Sequence, residues 1–205
     1  MTKQALVIGS NGGIGSACVN KLELDGFKVD AWSRDTLDLD YPSRIFDQDL
    51  SKYDLLINCA GHSRGTHKGF LQNSLENQLS QINVNFVSNI FLLKHYALSR
   101  VQGHFVWFST SLLDQARPFH STYAGSKAAS KFAIDLVRQE ATHINILEVK
   151  VGPTRTMFKY TNFEGTQTVE QINSIYDQEQ ALDPGYVAQQ TVQAIDSNLA
   201  HIHIK

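Results

Sequence analysis

Gly9-Ser10-Asn11-Gly12-Gly13-Ile14-Gly15 follows directly on the apolar run Ala5-Leu6-Val7-Ile8 and opens into a segment of helical character. Glycine is needed there for mechanical reasons. A strand-to-helix turn this tight uses backbone angles that other residues avoid, and side chains would hold the main chain away from a phosphate. The helix start then offers unpaired N–H groups and the positive end of its dipole. The stretch therefore reads as a pyrophosphate cradle, with Gly9, Ser10, Asn11, Gly13, Ile14 and Gly15 as its contacts.

Outward from this turn, short apolar runs alternate with helix-period segments, the pattern of βαβ units and a parallel sheet. Strands are predicted at Ala5–Gly9, Lys28–Ser33, Leu55–Ala60, His104–Thr110 and Ile144–Val151, with a short His201–Lys205 strand closing the sheet. Leu79, Ile82, Phe86, Ile90, Leu93 and Ala97 recur at three- and four-residue steps and predict one buried helical stripe. Further helices are predicted over about Thr122 to Ala141 and after Asp183-Pro184, a cap followed by a first-turn proline. Leu37-Asp38-Leu39-Asp40 reads as a very short strand. Arg155 to Gln180 shows no clear period and reads as a substrate-side loop. The fold class is α/β: one doubly wound Rossmann-type domain over 1–205, a mainly parallel sheet with helices on both faces.

With 205 residues the chain is long enough to bury a full core. A formal charge of -2 points away from nucleic acid and anionic membrane surfaces. No apolar run reaches the roughly 18 to 20 residues of a membrane span, and the N-terminal apolar stretch is too short for a signal-peptide core. Cys18 and Cys59 make no disulfide framework and read as buried thiols of a reducing, cytoplasmic compartment.

Four later landmarks join the glycine turn. These are Asn58-Cys59-Ala60-Gly61, Val84-Asn85, Tyr123-Ala124-Gly125-Ser126-Lys127 and Val151-Gly152-Pro153-Thr154-Arg155-Thr156. In this order they resemble the short-chain dehydrogenase/reductase family over about residues 5 to 157. Cys59 stands where the family has a second Asn, and Val151 where it has a Pro. Gly9, Gly13 and Gly15 match its G-x-x-x-G-x-G turn; Gly9, Gly12 and Gly15 also match the G-x-x-G-x-x-G of the extended epimerase branch. The chain has no room for that branch's C-terminal substrate domain, so the resemblance favours the compact reductases. It implies a nicotinamide dinucleotide held also by Asn58, Ala60, Gly61, Gly152, Thr154 and Thr156, with Asp38-Leu39 at the adenine. Family members often pair through helices at about 75–100 and 122–141, which implies a homodimer or homotetramer.

At the end of the second strand an acidic residue would bind the ribose hydroxyls and repel a 2′-phosphate. Here stand Ser33 and Arg34, a hydroxyl and a guanidinium suited to that phosphate. NADP(H) is therefore the expected cofactor. The alternative is an Arg34–Asp35 surface pair and NAD(H).

Tyr123 and Lys127, four apart, share a helix face. A free phenol titrates near pH 10, and an ammonium beside it favours the phenolate, so Tyr123 could exchange a proton with a carbonyl oxygen. The resemblance adds Lys127 hydrogen bonds to the nicotinamide ribose and a serine thirteen residues before the Tyr. That count lands on Thr110; Ser111 serves if the loop is one residue shorter, and either hydroxyl has the required chemistry. Asn85 would complete a proton relay through water. His62, His67 and His120 fall in loops bordering the cleft, and no spacing reads as a metal site. The expected function is hydride transfer between NADP(H) and a small carbonyl or alcohol. The competing reading is a regulatory or redox-sensing NADP(H)-binding protein without turnover.

Overall fold

The computed structural model describes residues 2–115, 117–163 and 165–205. In chain order the elements are β1 (Gln4–Ile8), α1 (Gly13–Leu24), β2 (Lys28–Trp32), β3 (Leu55–Asn58), α2 (Gly69–Gln72) and α3 (Leu75–Ile82). A π turn (Asn83–Val87) leads into α4 (Ser88–Ser99), β4 (Gly103–Thr110), α5 (Ser121–Glu140), β5 (Ile144–Val151), α6 (Phe158–Asn162), α7 (Val169–Gln178), α8 (Pro184–Asp196) and β6 (His201–Ile204). The strands form one six-stranded sheet in the order β2-β1-β3-β4-β5-β6, every pairing parallel. This is the single α/β domain expected from the apolar runs.

Alternate residues of each strand feed two separate cores, as a pleat of period two requires. Leu6, Ile8, Leu56, Phe105, Trp107 and Ile146 meet Leu92, Leu93 and Tyr96 of α4 and Ile134 of α5. On the other face Val7, Ile57, Val106, Phe108 and Val149 meet Cys18 and Leu22 of α1 and Val187 and Val192 of α8. Each fully buried Leu or Ile in these layers contributes roughly 1.5–3 kcal/mol relative to exposure. The tips of the strands that carry the glycine turn and Thr110 are thereby held rigidly.

Three sequence expectations are corrected. Leu37 to Asp40 is not a strand; Leu37 and Leu39 instead drop individually into the core, and Leu39 O accepts from Ser88 Oγ at 3.0 Å. The first part of the buried stripe in the 75–99 segment is shifted, whereas Leu93 is buried and Ile90 and Ala97 pack against the core as expected. Leu79 is 60% and Ile82 38% exposed, while Gln81, Val84, Asn85, Ser88, Asn89, Leu92 and Tyr96 face inward. The cause is the π turn, whose extra residue rotates the helix faces, and hydrogen bonds make the buried Asn and Ser side chains tolerable. Finally, 155–180 contains α6 and α7 rather than an irregular loop. Thr168 and Gln171 form a capping box at the start of α7, and Ile172 and Tyr176 bury its inner face.

Candidate active site

Backbone hydrogen bonds hold the glycine turn. Gly9 N and Ser10 N both donate to Trp32 O, at 2.8 and 3.1 Å, and Gly12 N donates to Gly9 O at 3.0 Å. Gly9 has φ +78°, and a Cβ there would lie 2.7 Å from Ala60 N. At Gly13 a Cβ would come within 2.5 Å of Thr156 Cγ2, so this glycine lets the 152–156 segment close over the turn. Helix α1 starts at Gly13 with no side-chain cap and no acidic residue in its first turn. Its first N–H groups are thus open to an anion, and the residues fit a dinucleotide pyrophosphate.

Past β2, Ser33 Oγ accepts from Asp35 N at 3.3 Å, closing a small turn. Arg34 leans between Asp38 and Asp40, at 3.9 and 3.7 Å, and not toward Asp35. Both contacts are long and the guanidinium is half exposed, which leaves donors for a phosphate.

The other predicted residues converge at the ends of β3 and β4 and the start of α5. Asn58 is buried, its Nδ2 donating to Asn89 Oδ1 at 2.6 Å and its Oδ1 accepting from Ala60 N at 3.1 Å. Its side chain therefore ties β3 to α4, leaving backbone groups of 58–61 for a ligand. A Cβ on Gly61 would stand 3.1 Å from Asn85 Oδ1 and 3.4 Å from Lys127 Nζ, so three of the predicted residues meet at this glycine. Asn85, in the π turn, clasps the next residue at both backbone groups: its Oδ1 accepts from His62 N at 3.1 Å and its Nδ2 donates to His62 O at 2.9 Å. The Asn85 carbonyl accepts from Ser130 Oγ at 2.7 Å and Asn89 Nδ2 at 2.8 Å.

Lys127 is 4% and Tyr123 9% exposed. Lys127 Nζ donates to Phe108 O at 2.9 Å, one of its three protons. Burial pulls its ammonium down to about 8, with the Cys59 thiol opposing the shift. Burial pushes the Tyr123 phenol up to about 12, and the Thr110 side chain nearby draws it part of the way back. Ser111 heads the short turn beyond β4, half-buried. Cys59 carries a thiol pushed well above its usual range by burial and by Cys18 alongside; both cysteines are free.

Helix α5 is pinned one turn beyond Lys127. Lys131 Nζ bridges Asp135 Oδ2 at 2.8 Å and the buried Glu148 Oε2 at 3.0 Å. Glu148 also accepts from Ser109 Oγ, the neighbour of Thr110, at 2.5 Å, and meets His201 Nδ1 at 3.0 Å. Burial raises the Glu148 carboxyl, yet Ser109, Lys131 and His201 together hold it below its usual range. Asp135, Glu148 and His201 have ligand atoms within 4.8 Å of one another, but Lys131 already occupies both carboxylates.

Thr154 Oγ1 donates to Gly152 O at 3.1 Å, and Tyr176 Oη donates to Thr156 O at 2.6 Å, anchoring α7 to the 152–156 segment. One contributor went unnoticed in the sequence, and a histidine expected at the cleft border has a structural task. Phe158 of α6 lies edge-on to Tyr123, with ring centroids 5.7 Å apart, and no residue pattern announces it. His62 is buried behind Asn85, a role that its position directly after Asn58–Gly61 could have signalled. His67 rests on Phe163, with centroids 5.9 Å apart, and His120 stands just before α5, its Nδ1 2.8 Å from Pro118 O.

The sequence profile described as short chain dehydrogenase matches residues 43–167. No curated protein sequence matches the chain. Among solved structures it is similar to a small-chain dehydrogenase in complex with NADPH (TM-score 0.83, 18% identity, 100% of this chain and 97% of that one). A short chain dehydrogenase from Burkholderia cenocepacia in complex with NADP gives TM-score 0.78 at 16% identity, over 100% and 88% of the two chains. A protein from Listeria innocua gives 0.76 at 17% identity, over 100% of both. At such identities the likeness is one of fold.

Proposed function

The chain belongs to the short-chain dehydrogenase family of oxidoreductases, and we propose that it transfers hydride between NADP(H) and a small carbonyl or alcohol substrate. The observation that carries this reading is the meeting of Lys127 and Asn85 at Gly61, with Tyr123 buried one turn earlier on α5, beside a glycine turn open to an anion. The solved relatives that hold NADPH or NADP support the cofactor, as do Ser33 and Arg34.

Gly9, Ser10, Asn11, Gly13, Ile14 and Gly15 would hold the pyrophosphate, Arg34 and Ser33 the 2′-phosphate, and Asp38-Leu39 the adenine. The backbone of Asn58, Ala60 and Gly61, with Gly152, Thr154 and Thr156, would line the nicotinamide half. When bound, the cofactor supplies or accepts the hydride.

The rest is done by side chains. A phenol held at about 12 keeps its proton near neutrality, which suits Tyr123 to donate it from Oη to a carbonyl oxygen during reduction. Thr110, buried at the end of β4 where its side chain draws the Tyr123 phenol down, is placed to bind that same oxygen, which favours it over the half-buried Ser111. Lys127 has two further protons for ribose hydroxyls, and Asn85 holds the loop that carries Gly61. Phe158 over the Tyr123 ring supports 155–180 as the substrate-side cover that keeps water from the phenol.

The exposed faces of α3 and α5, with Leu75, Leu79 and Ile82 beside Phe132 and Leu136, support a homodimer or homotetramer. Two free thiols favour a cytoplasmic setting, and among the described residues no helix is long and apolar enough to cross a membrane. The test has two parts. Nicotinamide dinucleotides should raise the melting temperature, NADP(H) most strongly, and NADPH should be consumed with some member of a panel of aldehydes, ketones and quinones. Protection without turnover on any member favours the regulatory reading instead.

A further inference from the structure

A long ion-pair contact followed by a run of hydrogen bonds joins the adenosine end of the cleft to its catalytic end. Asp40 reaches Arg34 Nη2 with Oδ2 at 3.7 Å and accepts from Ser80 Oγ with Oδ1 at 2.5 Å. Ser80 Oγ meets His62 Nε2 at 2.8 Å, and His62 Nδ1 accepts from Arg64 N at 3.3 Å. The His62 backbone is clasped at N and O by Asn85. A second strap runs alongside, from Asn83 Nδ2 to Asp40 O at 3.2 Å.

One proton arrangement satisfies the whole run. An ionised Asp40 only accepts, so the single Ser80 proton goes to it. Ser80 Oγ must then accept from His62, which requires the Nε2–H tautomer and leaves Nδ1 free to accept from Arg64 N. His62 is 8% exposed, and burial, with Arg64 and Arg34 adding to it against Asp40, holds its imidazole neutral by drawing its pKa down to about 4. Both ring nitrogens are therefore committed, and the side chain has no proton to give a substrate.

We propose that Asp40, Ser80 and His62 form a positioning chain that sets Asn85 and the Gly61 loop from the Arg34 pocket, so that occupation of the 2′-phosphate site is felt at the catalytic end. The proposal rests on the reading of Arg34 and Asn85 given above. It makes Ser80 and His62 positioning residues rather than catalytic ones. Asp40 acquires two tasks, balancing Arg34 with one oxygen and orienting Ser80 with the other.

The experiment follows the His62 ring by long-range proton–nitrogen NMR, which needs no substrate. Around pH 7 the wild type should show a neutral ring with the proton on Nε2. NADP+ should shift that signal more than NAD+ does. Ser80→Ala should lose the slowly exchanging Nε2–H, and Ser80→Thr should restore it. A charged ring, an Nδ1–H tautomer, or equal shifts with the two dinucleotides overturns the chain. So does a signal indifferent to Ser80→Ala. If neither dinucleotide binds, the cofactor reading fails instead, while the tautomer and the Ser80 variants still test the chain.

With active protein, Ser80→Ala should lower kcat about tenfold or more with little change in KM, and His62→Gln, whose amide can still donate to Ser80, should recover part of what His62→Leu loses. Ser80→Ala should cost nothing further in an Asn85→Ala background; full additivity there contradicts action through Asn85. Comparable far-UV circular dichroism across the variants separates these effects from misfolding.

Discussion

The two ends of the cleft are built by different means. At the glycine turn no side chain does chemistry: Gly9 and Gly13 matter because Ala60 N and Thr156 occupy the places of their missing Cβ atoms, and the ligand-facing groups are backbone N–H. At the other end Thr110, Tyr123, Lys127, Asn85 and His62 are buried polar side chains, and burial moves the acidities of Tyr123, Lys127 and His62. A site made of backbone is specified by what is absent and tolerates few additions. A site made of buried side chains is specified by its hydrogen-bond partners, and fails when one partner is removed.

This contrast can be broken or sharpened by experiment. Of three effects that bear on this contrast, the largest is expected at the hydroxyl beside Tyr123. Thr110→Val should lower kcat by about 10² to 10³, whereas Ser111→Ala should leave it within a few-fold; steady-state kinetics on the best substrate decides, and the reverse ranking would move the site one residue along.

A pH effect on stability comes next. His62 has a folded pKa of about 4 against 6.5 unfolded, so the unfolded chain takes up the proton first. Its contribution is complete above pH 6.5 and is lost as the pH falls toward 4, about 3 kcal/mol at most. His104, also drawn down by burial, and the lowered Glu148 carboxyl add losses of the same sign. The difference between urea unfolding curves of wild type and His62→Gln isolates the His62 share, and parallel pH profiles would remove it.

The smallest effect belongs to the exposed guanidinium. Arg34→Ala should weaken NADPH binding about tenfold and NADH binding hardly at all. Equal losses measured by calorimetry would show that Arg34 reads no 2′-phosphate.

What could be read from the sequence follows the same division. The glycine turn, the six strands of the sheet and Tyr123-x-x-x-Lys127 are local patterns, and they lie within a residue or two of where their spacing put them. The stripe through Leu79 and Ile82 misled because the π turn at Asn83–Val87 changes the period without changing composition. Leu37 and Leu39 alternate like a strand but are buried one by one, with no partner strand beside them. In 155–180 the Thr168–Gln171 box was present and overlooked. Phe158 on Tyr123, Arg34 between Asp38 and Asp40, and the Asp40–Ser80–His62 run are long-range contacts that no local pattern encodes.

The central claim is that Tyr123 moves a proton while hydride passes between NADP(H) and a carbonyl carbon. The direct measurement is the rate of NADPH oxidation on the best substrate of the carbonyl panel, wild type beside Tyr123→Phe, with NADPH binding checked in both. The account predicts a loss of about 10² to 10⁴ in kcat with binding retained. Turnover undiminished in Tyr123→Phe would contradict it.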